Sequence, residues 1–220
     1  MALSPDLLTE LHHALTDYLI VSSSPPKVAN DLARVLDAIE SYRHWAAVEF
    51  HAVHDHFRLL GEDNFRRYRP VEQLRVRIHP VDAWFDVFAR AAAARAAGCH
   101  TVVSSPPGLE GVAAEAVRLL DDLTDAWGAA IEFVSETDAE LGRAIIAHQT
   151  DRVRYASPDR VPLTIRQAAA DALEYIADTP PVAHGRVELL WYFQEQSLSV
   201  VYHRYGNLGR RAGEERNEPA

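Results

Sequence analysis

Catalysis needs nucleophiles, bases, metal ligands or phosphate cradles, and this chain offers few residues of any of these kinds. Its single cysteine, Cys99, could attack a substrate only as a thiolate, which calls for an electropositive neighbourhood or an adjacent base. His100 follows it directly, but alternation along a strand sends neighbouring side chains to opposite faces, so the two make a poor dyad. A small thiol packed beneath a sheet is the plainer reading. Glu49-Phe-His51-Ala-Val-His54-Asp-His56 gathers histidines, and on a continuing helix His51 and His54 would share one face within reach of a metal. No His-Glu-x-x-His run accompanies them, and a polar helix face or helix end accounts for the cluster without metal. Lys27 is the only lysine and sits beside Pro25-Pro26, so Schiff-base and P-loop chemistry have almost no candidate.

Arginine supplies nearly all the positive charge, and two short runs alternate it with apolar residues: Leu74-Arg-Val-Arg-Ile78 and Arg152-Val-Arg-Tyr155. A period of two means that one face of each strand is not an apolar core. Arg75, Arg77, Arg152 and Arg154 could form a bidentate surface for carboxylate or phosphate groups. The alternative places them at sheet edges or against acids such as Glu132, as structural ion pairs.

These runs belong to a regular series. Strands are expected at Leu74–His79, Thr101–Ser105, Ala130–Ser135, Arg152–Ala156, Tyr175–Ala177 and Leu198–Tyr202. Amphipathic helices are expected between them, at about Val81–Ala97, Leu109–Trp127, Asp138–His148, Leu163–Leu173 and Gly185–Gln196. Short strands alternating with such helices predict an α/β, Rossmann-like, mostly parallel sheet with helices on both faces, because parallel neighbours need crossovers. Ser135 or Thr137 can cap the third of these helices, and Gly98 and Gly128 stand where helices stop. A helical segment precedes the sheet: Pro5 to about Val21, a Ser22-Ser-Ser-Pro-Pro26 linker, then about Ala29 to Leu60, with Leu32, Val35, Ile39, Tyr42, Ala46 and Phe50 on one face. The chain thus divides into residues 1–60, helical, 61–209, Rossmann-like with a terminal strand, and 210–220, a charged tail expected to fray.

A dinucleotide site on such a sheet needs a glycine-rich turn after an early strand, where pyrophosphate can meet bare backbone. Here the first strand runs into His79-Pro-Val-Asp-Ala-Trp84 and the second into Ser104-Ser-Pro-Pro-Gly108-Leu-Glu-Gly111. The prolines remove donors that a phosphate cradle would use, and no cofactor is expected.

With 220 residues, 48% of them apolar and 25% charged, the chain can bury one good core. A formal charge of −10 points away from nucleic acid and anionic membrane surfaces. No apolar stretch approaches the roughly 18 residues of a membrane-spanning helix, the start lacks the pattern of a secretory signal, and one cysteine suits a reducing compartment. A cytoplasmic protein is expected.

The residues that carry a family resemblance are elsewhere. Leu59-Leu-Gly-Glu-Asp-Asn64, followed by Arg69-Pro and the Leu74–Ile78 strand, and the closing Glu195-Gln-Ser-Leu-Ser-Val200 with its aromatic, Gly-Asn-Leu tail, resemble the C-terminal part of proline utilization A, the bifunctional proline-catabolic enzymes. The similarity spans roughly Leu60 to Gly209. It implies a non-catalytic, Rossmann-like domain of the aldehyde dehydrogenase superfamily that serves as lid, scaffold or oligomerisation element beside an NAD-dependent dehydrogenase of L-glutamate γ-semialdehyde, from 1-pyrroline-5-carboxylate. The cysteine nucleophile, general-base glutamate and nicotinamide site of that dehydrogenase are not among the matching segments. Tyr202-His-Arg-Tyr205 departs from the small residues common in the family's tail.

On this reading the expected partner is a proline-catabolic dehydrogenase domain or chain, or a second copy. The contact surface would be Ser197, Leu198, Ser199, Val200, Tyr202, His203, Arg204, Tyr205, Gly206 and Asn207, with Leu198, Val200 and Tyr202 adding by strand pairing. The alternative is a small Rossmann-type enzyme or sensor that binds a nucleotide or small acid at the C-terminal ends of the strands through the arginines.

Overall fold

A computed structural model describes residues 6–203 and 205–215. Two helices come first, α1 (Leu7–Val21) and α2 (Pro26–Trp45). Asp6 caps α1 by accepting the Leu8 N–H at 3.2 Å. Instead of running to Leu60 as expected, α2 widens into a π turn, Ala46–Phe50, closed by His51 N–H donating to the Ala46 carbonyl at 2.8 Å, and then unwinds. The remaining elements are β1 (Glu62–Pro70), β2 (Gln73–Arg77), α3 (Trp84–Ala97), β3 (His100–Ser105), α4 (Gly111–Leu123), β4 (Ile131–Ser135), α5 (Asp138–Ile146), β5 (Arg152–Arg154), α6 (Leu163–Ala172), β6 (Tyr175–Ala177), α7 (Gly185–Glu188) and β7 (Phe193–Val201).

Five strands make a parallel sheet in the order β4-β3-β2-β5-β6. Counted from β2, that order is 3-2-1-4-5, the mononucleotide-binding half of a Rossmann sheet, and its direction of winding reverses between β2 and β5. The α/β, Rossmann-like layout with helices on both faces is therefore present. Register decides which arginines share a face. Leu74 and Val76 lie level with Thr101 and Val103 and with Arg152 and Arg154, so Arg75 and Arg77 point to the opposite side from Arg152 and Arg154.

On the side that Val76 and Val103 face, α3 lies between the sheet and α2, buried almost all round. A helix apolar on every face is expected there, and its alanines, Ala91 to Ala94 among them, let both neighbours approach. Leu11, Leu15, Leu32, Val35 and Ile39 of α1 and α2 join Val76, Phe88 and Val103 in one continuous core. Across the sheet, Leu141, Ile145, Val153 and Ile165 form a smaller core beneath α5 and α6. Thr137 and Glu140 close a reciprocal capping box at the start of α5, and Gly98 ends α3 in the left-handed region at φ 86°.

Two further segments depart from expectation. The helix expected over Gly185–Gln196 is a single turn, α7, continued as a tighter turn over Leu189–Tyr192, and the last strand begins at Phe193 rather than Leu198. Gly185 sets this approach, because a Cβ there would stand 2.5 Å from the Ser41 carbonyl oxygen of α2. Its N–H donates to Ser41 Oγ at 2.8 Å. The second departure is β1, unanticipated in the charged run Glu62–Pro70, which pairs antiparallel with β7 along its full length.

Candidate functional site

The reversal between β2 and β5 is where a doubly wound sheet ordinarily takes its ligand. In this chain a guanidinium fills it. Arg90, fully buried on α3, donates through Nη1 to the carbonyls of Arg77 at 2.8 Å and Arg154 at 3.2 Å, so it bridges the ends of the two diverging strands. Its Nη2 pairs with the buried Asp82 carboxylate, and its Nε donates to the Asp86 carbonyl at 2.7 Å. Arg160 adds to the cluster, 2.6 Å from Asp82 and 2.8 Å from Asp86. Two cations and two carboxylates thus close the crevice among themselves. The charge on Arg90, two turns inside an alanine-rich apolar helix, was the sequence signal for it, since a buried cation demands a partner.

A cleft of about 290 Å³ remains beside this plug, lined in part by Arg77, His79, Pro80, Pro106, Arg160 and Pro162. That is at the lower limit of clefts for drug-sized ligands. Pro80, Pro106, Pro158 and Pro180 follow four of the five parallel strands, where phosphate binding would want bare N–H groups. The Arg77 guanidinium is already committed to Asp138 at 2.7 Å, to Ser104 Oγ at 2.9 Å and to the Glu136 carbonyl at 3.0 Å.

The other arginines of the two alternating runs are equally occupied, and they do not form one surface. Arg75 pairs with Glu136 at 2.5 Å. Arg152 donates to the carbonyls of Trp191 and Phe193 at 2.7 and 3.1 Å, and Arg154 reaches Glu188 at 2.8 Å. Their strands are internal rather than edges, and the partners are Glu136, Asp138 and Glu188. Glu132, the acid expected for them, faces His100 at 3.4 Å. Around Glu188 the network is complete: Tyr192 Oη donates to one oxygen at 2.8 Å, the Val182 N–H donates to the other at 3.0 Å, and Tyr42 Oη donates to the Val182 carbonyl at 2.6 Å. Burial, then the nearby Glu188 charge, hold both tyrosine hydroxyls protonated far above neutral pH.

Neither remaining candidate gathers a reactive group. Cys99 is buried, its thiol 3.5 Å from the Tyr192 carbonyl, and burial pushes it up to about 12, so it is no thiolate at neutral pH. His51 Nε2 lies 3.1 Å from the Ala96 carbonyl and His54 Nε2 2.8 Å from the Glu49 carbonyl, while His54 and His56 stack face to face at 5.3 Å. No group of three or more metal-ligating side chains comes together among the described residues.

The closing segment projects instead. β1 and β7 form a two-stranded ribbon separate from the parallel sheet. Its base is fixed to the body by Phe193 and Tyr68, each 4.9 Å from the Phe50 ring. From there outward β7 is open: Leu198, Val200 and Val201 are 46, 41 and 59% exposed. The strand pairs Leu198 with Phe65 and Val200 with Asp63, and Ser199 Oγ donates to Asn64 Oδ1 at 2.9 Å. The free edge of β1 is partly covered, because His54 and Arg66 exchange backbone hydrogen bonds of 2.9 and 2.8 Å. Beyond the ribbon the chain turns back: Tyr202 N–H donates to the Gly61 carbonyl at 2.9 Å, Gly61 N–H donates to Tyr202 Oη at 3.0 Å, and His203 Nδ1 lies 3.1 Å from the same carbonyl. Arg211 covers the Tyr202 ring at 3.8 Å and pairs with Asp63 at 2.7 Å. Tyr205, Gly206 and Asn207 are exposed; Arg204 lies outside the described residues.

No family profile matches this chain, and no curated protein matches it by sequence. Solved structures do match. An aldehyde dehydrogenase from Bacillus cereus in its NAD+ complex aligns over 78% of this chain and 36% of its own, with a TM-score of 0.55 at 17% identity. Lactaldehyde dehydrogenase from Escherichia coli aligns over 77% of this chain and 37% of its own, with a TM-score of 0.58 at 16% identity. Proline utilization A from Bdellovibrio bacteriovorus, inactivated by N-propargylglycine, aligns over 75% of this chain and 18% of its own, with a TM-score of 0.57 at 19% identity. The class defined is a Rossmann-like α/β module with the fold of part of an aldehyde dehydrogenase. The chain spans little more than a third of the two dehydrogenases, at 37 and 36%, and 18% of the proline utilization A. No helix among the described residues is long and apolar enough to cross a membrane.

Proposed function

We propose that this chain is a non-catalytic relative of the C-terminal domain of proline-catabolic 1-pyrroline-5-carboxylate dehydrogenases, and that it acts in the cytoplasm as a docking scaffold or lid through its β1–β7 ribbon. The observation that carries the reading is a contrast within the molecule. The position where a Rossmann sheet would hold a nucleotide is filled by Arg90, Asp82 and Arg160, whereas the ribbon leaves apolar side chains and a strand edge outward.

That edge is of the kind that pairs. Gln194 to Val201 contains no lysine or proline, the usual guards of an exposed strand. A two-stranded ribbon is also marginal by itself. Leu198 and Val200, on one face, give an added strand or a facing surface something apolar to cover, while the backbone supplies the hydrogen bonds. The chain does no chemistry here; it completes another chain's sheet or closes its cavity.

The test is the native mass, by light scattering, of the purified chain alone and mixed with a purified 1-pyrroline-5-carboxylate dehydrogenase. A complex, with the dehydrogenase or with a second copy, is expected, and Leu198→Lys/Val200→Lys should abolish it. A monomer in both preparations, or a complex indifferent to the substitutions, overturns the reading.

A further inference from the structure

A cavity of about 610 Å³ lies apart from the ribbon and borders the plugged crevice through Pro80 and Asp82, where the turn between α1 and α2 meets the starts of α2, α3 and α4. Its volume is that of a small-molecule cleft. The walls are largely apolar: Tyr18 and Trp84, stacked at 6.5 Å, together with Val28, Val81 and Val112. Trp84 is 4% exposed, and its Nε1 has no acceptor among the described residues.

The charged groups around the cavity narrow the ligand. Asp82 is taken by Arg90 and Arg160, and Asp31 lies 3.6 Å from Arg34. Lys27 is exposed and has no ion pair among the described residues. It sits in the first turn of α2, whose N-cap, Pro25, provides no side-chain acceptor and whose first turn holds no acid. The positive end of that helix and its unsatisfied N–H groups therefore act together with the ammonium of Lys27. Glu115, which lines the cavity from α4, also has no ion pair among the described residues, and it would repel a second negative charge.

We propose that this cavity binds an amphipathic organic monoanion, with its single carboxylate at Lys27 and the start of α2 and an aromatic or branched aliphatic body against Trp84, Val28 and Val112. A dinucleotide or a dicarboxylate carries too much negative charge for the site. An uncharged apolar molecule lacks the group that Lys27 would hold. The site is independent of the docking ribbon, so either reading can fail without the other.

The test is calorimetric titration of the full chain with 4-phenylbutyrate, with 4-phenylbutanol and glutarate as controls. Saturable binding of the acid is expected, about tenfold tighter than either control. Lys27→Gln, at an exposed position, should remove that preference, and Val112→Trp should block all three ligands by filling the cavity. Absence of saturable binding, equal affinity for the acid and the alcohol, or a preference unchanged by Lys27→Gln overturns the proposal.

Discussion

Arg154 and Glu188 meet at 2.8 Å with neither side chain exposed, and the pair joins β5 of the sheet to the turn that launches the ribbon. Arg154 Nη1 donates to the carbonyls of Tyr155, Ala177 and Thr179. Removing one partner leaves a buried charge without compensation, which costs far more than the pair itself contributes. Glu188→Ala should destabilise the chain by about 3–5 kcal/mol in urea unfolding, while Arg154→Met/Glu188→Leu should lose less than Glu188→Ala alone. Equal losses would mean that the pair is not desolvated as described.

Gly185 is a second point of close packing in the same region. With a Cβ 2.5 Å from the Ser41 carbonyl oxygen, backbone would have to shift to admit alanine. Gly185→Ala should cost about 1–3 kcal/mol, measured as a lower midpoint with an unchanged urea slope.

Glu174 predicts a pH dependence. Burial first and the Asp151 carboxylate second push its carboxyl up to about 7 from the usual 4.5, with Arg75 pulling the other way. Neither carboxylate oxygen has a hydrogen-bond partner among the described residues. Below pH 4.5 the group is protonated folded and unfolded, so it carries no penalty. As pH rises through 4.5 to 7 the unfolded chain gives up the proton first, and folding loses stability until both states are ionised. Glu174→Gln should therefore leave stability unchanged near pH 4 and raise it by about 1–2 kcal/mol near pH 8, a figure reduced for the group's partial exposure.

The parallel sheet was legible because its strands are short apolar runs spaced by amphipathic helices, and Tyr175–Ala177 falls where the pattern places it. β1 was not, because Glu62-Asp-Asn-Phe-Arg-Arg-Tyr-Arg-Pro70 is dominated by charge, and its strand state depends on β7, more than a hundred residues away, as in the Arg67–Gln196 bond at a separation of 129. The arginine runs announced that something other than an apolar core faced those strands. Their partners could not be read from spacing, since Arg154 finds Glu188 34 positions away and Arg75 finds Glu136 61 away. Arg90 was passed over because helical periodicity absorbed it into the alanine-rich stripe of α3. The start of β7 was obscured because Leu189-Leu-Trp-Tyr-Phe193 is as apolar as a buried helix, and periodicity cannot separate the two over so short a run.

Amide hydrogen exchange at Ser197–Val201 tests the docking role of the ribbon most directly. Measured at low and high concentration, and with a 1-pyrroline-5-carboxylate dehydrogenase added, the amides of β7 that do not bond β1 should slow by about tenfold or more in at least one associated state, because an added strand would hold them. The same amides exchanging at the rate of an open edge under all three conditions would contradict the docking role.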